Sequence, residues 1–539
     1  MIANKIFFNK ISILNFPLML LFGIFGFKVY FLKSSFIFKS RKISNYLKYL
    51  NIIKIDFNNQ NHSISQKFVQ MKKRSYLISK NNADKIIKGI WSRELKNYFI
   101  EKTFLKIFLT NYLTNRVFDI LLIYEFAFKI QNDKQKLFFW INKNSISKEA
   151  SKSYINFIIL KPQFLNFFSE LVELFSLIVS KFKIKFNKSN HTKSQNKSKI
   201  INLKKYKTIF FVSGGIVSAK SNYLNLKNFF FSKKLSSPIH KNNIIICETL
   251  KSLHPASLIY FKKLKLEFFY WYKNSKRVMN VLSDSSFIFI KIIFRPILFS
   301  DPSTSLRICW AILEIKSNLR LLKNLPNLKN AIIDNEFQFS TTLAIALKHK
   351  KININCHAKR LIYPAQKHQF IVDNYFIFGK ETLKDLNHQF YKKINPIIIG
   401  GQETISKRNT LKYLNKYKKS YKLICLVLDY HSDKNWYNSS ISPLVNWSEN
   451  LKFYKLILDV AQNFPEILFV LKGKNYNWTQ ITFFDDIYAK LKKQKNLILF
   501  SNKVKMTNYE MTQNADFSIA RWTSLVDDFL MNNKPVIVY

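Results

Sequence analysis

The sequence predicts an α/β protein with two Rossmann-like domains that face a cleft. Three observations favour this fold class. Short apolar runs of strand length alternate with longer helical patterns at both ends of the chain, as in parallel sheets covered by helices. With 539 residues, of which 47% are hydrophobic, the chain is long enough for several domains with sizeable cores. No internal repeat of solenoid period competes with this organisation.

The N-terminal segment is predicted to follow the order β-α-β-α-β. The expected strands are Ile6–Phe8, Val29–Leu32 and Ile52–Phe57, and the expected helices are Ile13–Phe27 and Ile43–Leu50. Alternation of this kind indicates parallel strands, because each crossover helix returns the chain to the same end of the sheet.

The apolar run Ile13–Phe27 has two interpretations. Lys5 and Lys10 precede it, as in a signal peptide or a membrane anchor. A spanning helix needs about 20 apolar residues, however. Pro17 and Gly23 interrupt this shorter run, and no small-residue cleavage site follows it. We therefore predict a buried first helix.

The middle of the chain is predicted to carry a helical insertion and then further strands. Residues 85–131 look largely helical, and Phe164–Phe182 has the pattern of an amphipathic helix. The tract Lys183–Lys199 has the Lys/Asn/Ser composition of a linker or surface loop. We assign residues 1–395, including a loop at 183–205, to an N-terminal α/β domain. Its later strands are expected at Thr208–Ser213, Ile244–Cys247, Ala331–Ile333, Ile352–Asn355 and Tyr375–Phe378.

The C-terminal domain, residues 396–539, has the clearest pattern. The expected strands and helices alternate regularly, and the chain ends at the end of a strand, so we expect the domain to be truncated there. Strands are expected at Leu423–Asp429, Ile467–Lys472, Leu497–Phe500, Phe517–Ala520 and Val536–Tyr539, and helices at Glu449–Asn463, at Ile487–Lys493 and after Ser524.

The net charge of +55 also has two interpretations. Lys, Asn, Ile, Phe and Tyr are over-used together, as an AT-biased codon pool would cause, and the charge is spread along the chain. The alternative is a basic surface that favours anionic lipid, nucleotide or nucleic acid. An apolar helix at Phe164–Phe182 followed by lysines would suit an anionic membrane surface. The four cysteines form no C-x-x-C pair, which favours a reducing compartment.

Two stretches of the chain carry a resemblance to known proteins. The first comprises Ala331-Ile332-Ile333-Asp334-Asn335-Glu336, Cys356-His357-Ala358-Lys359-Arg360 and Asp373-Asn374-Tyr375-Phe376. The second comprises Ala515-Asp516, Arg521-Trp522-Thr523-Ser524, Asp527-Asp528-Phe529 and Lys534-Pro535-Val536-Ile537-Val538-Tyr539. Together they resemble the GT-B-fold glycosyltransferases of bacterial surface polysaccharide biosynthesis, a group related to teichoic-acid polymerases. Where those polymerases would show a His-Gly pair, this chain has His357-Ala358.

The resemblance implies transfer of a sugar from a nucleotide-diphosphate donor to a surface polysaccharide or lipid-linked acceptor. The nucleotide sugar is then a co-substrate, and neither a cofactor nor a metal is expected. The resemblance further implies a cytoplasmic enzyme that is peripheral on the inner face of the cell membrane, with no nucleic-acid partner. Two alternatives stay open: a CDP-polyol transferase of the glycerophosphate type on the same scaffold, and a non-enzymatic basic protein that binds nucleic acid or membrane.

Candidate donor-binding residues follow the predicted C-terminal strands, because ligands of open α/β sheets bind beyond the carboxyl ends of the strands. Arg521, Thr523 and Ser524 would contact the donor diphosphate. The alternative is a helix cap with a surface arginine. Lys472 would reach the same phosphates, or be an ordinary solvated lysine. We expect Arg521→Ala to abolish donor turnover without unfolding the protein.

Two further donor-side candidates are Asp527 and His431. Asp527, or its neighbour Asp528, would hold a ribose or sugar hydroxyl, or else be a first-turn acid that suits the helix dipole. His431 would contact donor or acceptor, or else belong to a turn in which Asp429 and Ser432 satisfy the local backbone.

The candidate general bases lie in the first domain. Transfer requires a base that deprotonates the acceptor hydroxyl, and Glu336 and His357 are the two candidates. The alternative for Glu336, and for Asp334, is an ion pair with Lys348 or Arg360.

Overall fold

The structure is a computed structural model with three parallel β-sheets and helices packed on them. It describes residues 5–11, 15–34, 46–55, 67–131, 137–142, 145–152, 154, 157–161, 203–212, 244–248, 267–270, 302–333, 339–358, 368–377, 379–398, 414, 417, 419–429, 447–473, 477–500, 512, 514–521, 523 and 525–539.

The strands fall into three groups along the chain. The first group is β1 Lys5–Ile11, β2 Lys28–Ser34, β3 Ile52–Lys54, β4 Leu137–Asn142 and β5 Phe157–Lys161. The second is β6 Thr208–Val212, β7 Ile244–Glu248, β8 Glu267–Tyr270, β9 Asn330–Ile333, β10 Asn353–His357, β11 Asn374–Ile377 and β12 Asn395–Ile398. The third is β13 Leu423–Leu428, β14 Ile467–Lys472, β15 Leu497–Leu499, β16 Phe517–Ala520 and β17 Val536–Val538.

The helices are labelled in chain order through the described residues. They are α1 Phe16–Ile24, α2 Phe68–Ile90, α3 Arg93–Phe99, α4 Lys102–Lys129, α5 Ser145–Ser151, α6 Pro302–Leu322, α7 Thr341–His349, α8 Glu381–Leu386, α9 Trp447–Asn463, α10 Asp485–Lys493 and α11 Leu525–Met531. A further helical turn covers residues 46–49.

Each sheet is doubly wound. The strand orders are β3-β2-β1-β4-β5, β12-β11-β10-β9-β6-β7-β8 and β15-β14-β13-β16-β17. In every sheet the chain starts near the middle, adds strands on one side, and then crosses to the other side. All neighbouring strands pair in parallel. The predicted α/β class with Rossmann-like sheets is confirmed, and the structure adds that two of these sheets precede residue 399.

The local patterns explain why these segments become strands and helices. β13 and β14 are almost continuously apolar, as parallel strands buried on both faces must be. α9 turns Phe453, Ile457 and Ala461 toward the sheet at helical spacing. α10 carries acidic residues in its first turn and lysines in its last, which complements the helix dipole.

The first two sheets share one hydrophobic core. A single cluster of buried side chains contains Phe7 of β1, most of α4 and Ile333 of β9. Asn111 of α4 ties the two parts together: its Nδ2 donates to the Gln369 carbonyl at 2.6 Å, and its Oδ1 accepts from the Gln369 N–H at 2.9 Å. The domain boundary at 395/396 stays a prediction; β12 ends at Ile398 and β13 begins at Leu423.

Several N-terminal predictions can be compared with the structure. The predicted order β-α-β-α-β agrees with β1, α1, β2, the helical turn at 46–49 and β3, and residues 43–45 of the second predicted helix lie outside the described residues. Residues 85–131 are largely helical, as predicted. The prediction of a buried first helix is wrong for one side of α1: Met19 is fully buried, whereas Ile24 and Phe25 are largely exposed. Among the described helices, none combines the length and apolarity needed to cross a bilayer. Phe164–Phe182 and Lys183–Lys199 lie outside the described residues.

An ion pair with one buried partner lies where α2 and α4 meet β2. Lys33 pairs with Asp119, whose Oδ1 is buried without a hydrogen-bond partner. The Lys72 ammonium lies 3.7 Å from the centroid of the Phe118 ring. Burial lowers the pKa of Lys72 to about 8, although the nearby Asp119 charge opposes this shift. Lys72 therefore carries its charge at neutral pH at a cost in stability.

We expect Lys72→Met to raise the free energy of unfolding at pH 7 by ~1–2 kcal/mol. The fall of the Lys72 pKa from 10.5 to about 8 corresponds to a burial cost of up to ~3 kcal/mol. Loss of the contact with the Phe118 ring offsets ~1–2 kcal/mol of that gain. Urea denaturation of both proteins at pH 7 measures the difference.

The same variant has a pH signature. Between about pH 8 and the ordinary pKa of 10.5, the unfolded chain holds a proton on Lys72 that the folded chain has released. Wild-type stability therefore gains a rising contribution across this range, and Lys72→Met should lack it. Identical pH profiles for the two proteins would contradict this assignment.

Candidate functional site

Three adjacent strands of the third sheet end in, or are directly followed by, polar residues at the carboxyl edge of the sheet. β13 lies between β14 and β16, with Leu428 opposite both Lys472 and Ala520. The Asp429 N–H donates to the Lys472 carbonyl at 3.1 Å, and the Arg521 N–H donates to the Leu428 carbonyl at 3.0 Å. Asp429, Lys472 and Arg521, here called the carboxyl-end cluster, thus end three adjacent strands in register.

The position of this cluster in the topology matters as much as its residues. The strand order β15-β14-β13-β16-β17 reverses direction between β13 and β16. The helices that follow these two strands must leave on opposite faces of the sheet, which opens a crevice at their carboxyl ends. The crevice of a doubly wound sheet is where its ligands bind, so the carboxyl-end cluster lies at the expected ligand site.

Lys472 is the half-buried cation of this cluster. Its Nζ donates to the Gly473 carbonyl at 2.7 Å, and burial lowers its pKa. Along β14 its side chain lies on the same face as Leu468 and Val470, which pack in the core beneath α11. An ammonium held partly out of water interacts strongly with an incoming anion. The structure confirms that Lys472 ends its strand, and its contact with phosphate stays a prediction.

Arg521 is built into the interior of the C-terminal unit. Only 3% of its surface is exposed. Its Nη1 donates to Asn450 Oδ1 at 2.8 Å and to the Glu449 carbonyl at 3.3 Å. The guanidinium lies 5.1 Å from the Phe453 ring centroid and 5.5 Å from that of Tyr539. The alternative of a surface arginine is wrong, because these contacts dock Arg521 on α9.

Asp429 is also held by α9. The Tyr454 hydroxyl donates to Asp429 Oδ2 at 2.5 Å, and Trp478 stacks on the Tyr454 ring with centroids 4.3 Å apart. Asp429 is buried. Asp429 and Arg521 are therefore both fixed by α9. Lys472 is the member of the cluster that α9 does not hold in this way.

The segment after β16 behaves as a cap. Thr523 Oγ1 accepts from the Leu525 N–H at 3.3 Å at the start of α11, so its hydroxyl satisfies the local backbone. Asp527 lies in the first turn of α11, but its side chain is outside the described residues, as are Ser524 and His431 altogether.

The first-domain candidates follow two adjacent strands of the second sheet. Ile333 at the end of β9 pairs with Cys356 of β10 and with Phe211 of β6, and the order of this sheet reverses between β6 and β9. Glu336 comes three residues after β9 and lies outside the described residues, while His357 ends β10 and its side chain is not described. Their roles stay predictions.

Lys348 has a partner that the sequence analysis did not name. Its Nζ donates to both oxygens of Asp373, at 2.7 and 2.9 Å. The same carboxylate accepts from the Ile354 N–H at 2.8 Å and from the Tyr391 hydroxyl at 2.8 Å. Asp373, which the resemblance included, therefore has a structural role. Asp334, Glu336 and Arg360 lie outside the described residues, so an ion pair of either carboxylate with Lys348 or Arg360 stays a prediction.

Sequence reasoning missed the side chains that hold the carboxyl-end cluster. Asn450, Phe453 and Tyr454 are buried in α9 and contact Arg521 or Asp429. Their spacing of three and four residues places them on one face of the helix. The sequence signal for these contacts was a polar residue, Asn450, among aromatic residues of the helix. That signal does not identify Arg521 as its partner.

Comparison with known proteins gives structural likenesses only. No protein-family model matches the chain, and no curated protein matches it in sequence. One similar solved structure is S. aureus MnaA with UDP, at 10% identity and a TM-score of 0.37, covering 62% of this chain and 78% of that chain. Another is the UDP-GlcNAc 2-epimerase from Neisseria meningitidis bound to UDP-GlcNAc, at 12% identity and a TM-score of 0.36, covering 61% of this chain and 82% of that chain.

A third similar structure is an α,α-trehalose-phosphate synthase (UDP-forming) from Burkholderia vietnamiensis, at 8% identity and a TM-score of 0.30, covering 62% of this chain and 83% of that chain. At these values the likenesses do not define the fold or the chemistry of this chain. The strand orders described above define the fold independently of these likenesses.

Proposed function

We propose that this chain is a glycosyltransferase that moves a sugar from a nucleotide-diphosphate donor to a surface polysaccharide or lipid-linked acceptor. The observation that carries the proposal is the position of the carboxyl-end cluster at the strand-order reversal of the third sheet. A half-buried lysine at such a crevice favours an anionic ligand of nucleotide type.

The proposed chemistry assigns one role to each part of the chain. Transfer breaks the bond between the anomeric carbon and the donor diphosphate, and the acceptor oxygen forms the new bond. The negative charge that develops on the leaving diphosphate is stabilised by the Lys472 ammonium, which needs no reorganisation of water because it is already partly desolvated. The acceptor proton passes to a base in the first domain, for which Glu336 and His357 are the candidates.

Arg521 supports this site from within. Its guanidinium is fixed by Asn450 and by two aromatic rings, and its backbone N–H holds the end of β16 on β13. We assign it the role of positioning the carboxyl end of β16, whereas Lys472 contacts the diphosphate.

The test is the thermal stabilisation of the protein by nucleotide diphosphates. A ligand that binds only the folded state raises the midpoint of unfolding. We expect UDP or GDP to raise it, and Lys472→Ala to weaken the apparent affinity at least about tenfold, which is ~1.4 kcal/mol and typical of one lost charged contact. Lys490→Ala is the matched control, because Lys490 is a largely exposed lysine of α10.

The outcomes separate the competing functions. Equal stabilisation of wild type and Lys472→Ala would contradict the proposed diphosphate contact. Turnover of a CDP-polyol, with no turnover of any sugar nucleotide, would replace the proposal by a glycerophosphate-type transferase. Absence of stabilisation by any nucleotide, together with salt-sensitive binding to nucleic acid, would indicate a non-enzymatic protein.

A further inference from the structure

An exposed apolar surface lies on the first sheet, far along the chain from the carboxyl-end cluster. It is formed by α1 and the helical turn at 46–49, and we call it the N-terminal apolar patch. Its members are Leu21, Ile24, Phe25, Tyr46, Tyr49 and Leu50. The largest exposed fractions are 75% for Ile24 and 87% for Tyr49. Exposed apolar side chains grouped in this way mark interaction sites rather than chance exposure.

The two halves of the patch are built alike and touch. Leu21, Ile24 and Phe25 recur at the helical spacing of three and four residues, and so do Tyr46, Tyr49 and Leu50. A Cβ atom at Gly23 would lie 2.4 Å from the Leu50 carbonyl oxygen. Only a glycine permits this approach, so the two helical segments lie side by side and their exposed faces form one surface.

Each half of the patch is anchored by buried side chains on its other face. Met19 of α1 and Leu47 of the turn at 46–49 both pack into the core beneath the first sheet, together with Phe8 and Phe31. The exposed residues therefore are not needed to hold the segments in place. They stand on a rigid base, which is what an interaction surface requires.

The charge around the patch identifies its partner. Residues 1–55 contain nine Lys or Arg and neither Asp nor Glu. Lys28 follows α1, Lys48 lies between the two tyrosines, and both are exposed. An apolar face carried on a chain segment with cations and no acidic residue complements a surface that is apolar inside and anionic outside. Tyrosine also suits the boundary between water and lipid, because its ring is apolar and its hydroxyl is polar.

We propose that the N-terminal apolar patch docks on the surface of an anionic phospholipid bilayer. α1 has nine residues, which is about 13 Å of helix, against a hydrocarbon core of about 30 Å. The helix therefore lies in the plane of the interface and does not cross it. Leu21, Ile24 and Phe25 enter the acyl boundary, while the surrounding lysines contact lipid phosphates.

The test is co-sedimentation of the full chain with phospholipid vesicles. We expect binding to vesicles that contain phosphatidylglycerol, weaker binding to pure phosphatidylcholine, and loss of binding as NaCl rises from about 0.1 M to about 0.5 M. The double substitution Ile24→Ser with Phe25→Ser should reduce partitioning at least about tenfold, since it removes two side chains that would leave water on docking. Leu456→Ser with Leu530→Ser is the matched control, because both are exposed apolar residues of the third-sheet unit.

A second variant keeps the test independent of folding. Tyr46→Ser with Tyr49→Ser alters the other half of the patch and should also reduce binding, with the circular dichroism spectrum unchanged. Equal binding of wild type and both patch variants would overturn the proposal. So would a patch-dependent dimer in sedimentation velocity without vesicle binding, which would make the partner a second copy of the chain. No nucleotide enters the experiment, so its outcome is independent of the proposed transferase activity.

Discussion

Asp373→Ala is expected to lower the free energy of unfolding of the first two sheets by ~3 kcal/mol. The substitution removes a carboxylate that accepts from the Lys348 ammonium, the Ile354 N–H and the Tyr391 hydroxyl. Each donor would have to find water or another acceptor in a partly buried position. Hydrogen bonds to a charged group contribute ~1.5–3 kcal/mol each and do not add fully when they share one acceptor.

The network explains why the loss should spread beyond one contact. Lys348 lies in the last turn of α7, Ile354 lies in β10, and Tyr391 packs against Phe104 of α4 with ring centroids 5.7 Å apart. Asp373 thus joins a helix, a strand and the shared core of the first two sheets. Urea denaturation monitored by circular dichroism measures the change.

Asp486→Ala is the matched control for this prediction. Asp486 pairs with Lys490 at 3.1 Å on the surface of α10, and 78% of its side chain is exposed. Surface pairs of this kind contribute ~0–1 kcal/mol. If Asp373→Ala changed the free energy of unfolding no more than Asp486→Ala, the hydrogen bonds of Asp373 would contribute little to stability.

The third sheet could be predicted from the sequence because its strands are short, continuous apolar runs separated by amphipathic helices. Leu423–Asp429 and Phe517–Ala520 agree with β13 and β16 to within one residue. Once the strands are known, the rule that parallel strands present their carboxyl ends together places Lys472 and Arg521 at one end of the sheet. The location of the candidate site therefore follows from local patterns.

The environment of each site residue could not be predicted from local sequence patterns, because it depends on partners distant in the chain. Arg521 is docked by Asn450, 71 residues earlier, and Lys348 by Asp373, 25 residues later. Spacing alone cannot select one partner among many polar residues. The prediction that α1 is buried was wrong for a different reason. This helix is apolar on all sides, so its pattern does not reveal which face meets the sheet and which stays exposed.

Arg521→Ala is expected to destabilise the C-terminal unit by ~3–4 kcal/mol, contrary to the sequence-based expectation that the fold would stay intact. The substitution removes three contacts of a side chain that is only 3% exposed. The charged hydrogen bond to Asn450 is worth ~1.5–3 kcal/mol. The two cation–ring contacts with Phe453 and Tyr539 add ~0.5–1 kcal/mol each, and part of this sum is recovered when the buried guanidinium no longer has to be desolvated.

Arg521→Met separates packing from charge. Methionine fills much of the same volume between the rings of Phe453 and Tyr539, so this variant should recover the packing part of the loss but not the hydrogen bonds. Denaturation midpoints of wild type, Arg521→Met and Arg521→Ala should therefore fall in that order. A similar midpoint for all three would mean that the contacts to α9 carry little energy.

The same variants decide between the two roles of Arg521 at the candidate site. If it positions the end of β16, nucleotide stabilisation should weaken in parallel with the loss of folding stability, and Lys472→Ala should weaken it with the fold unchanged. If Arg521 instead contacts the diphosphate, Arg521→Met should lose nucleotide stabilisation while keeping most of its folding stability. The burial of the guanidinium against Asn450, Phe453 and Tyr539 favours the first outcome, because a side chain held on α9 would have to give up these contacts to reach a ligand.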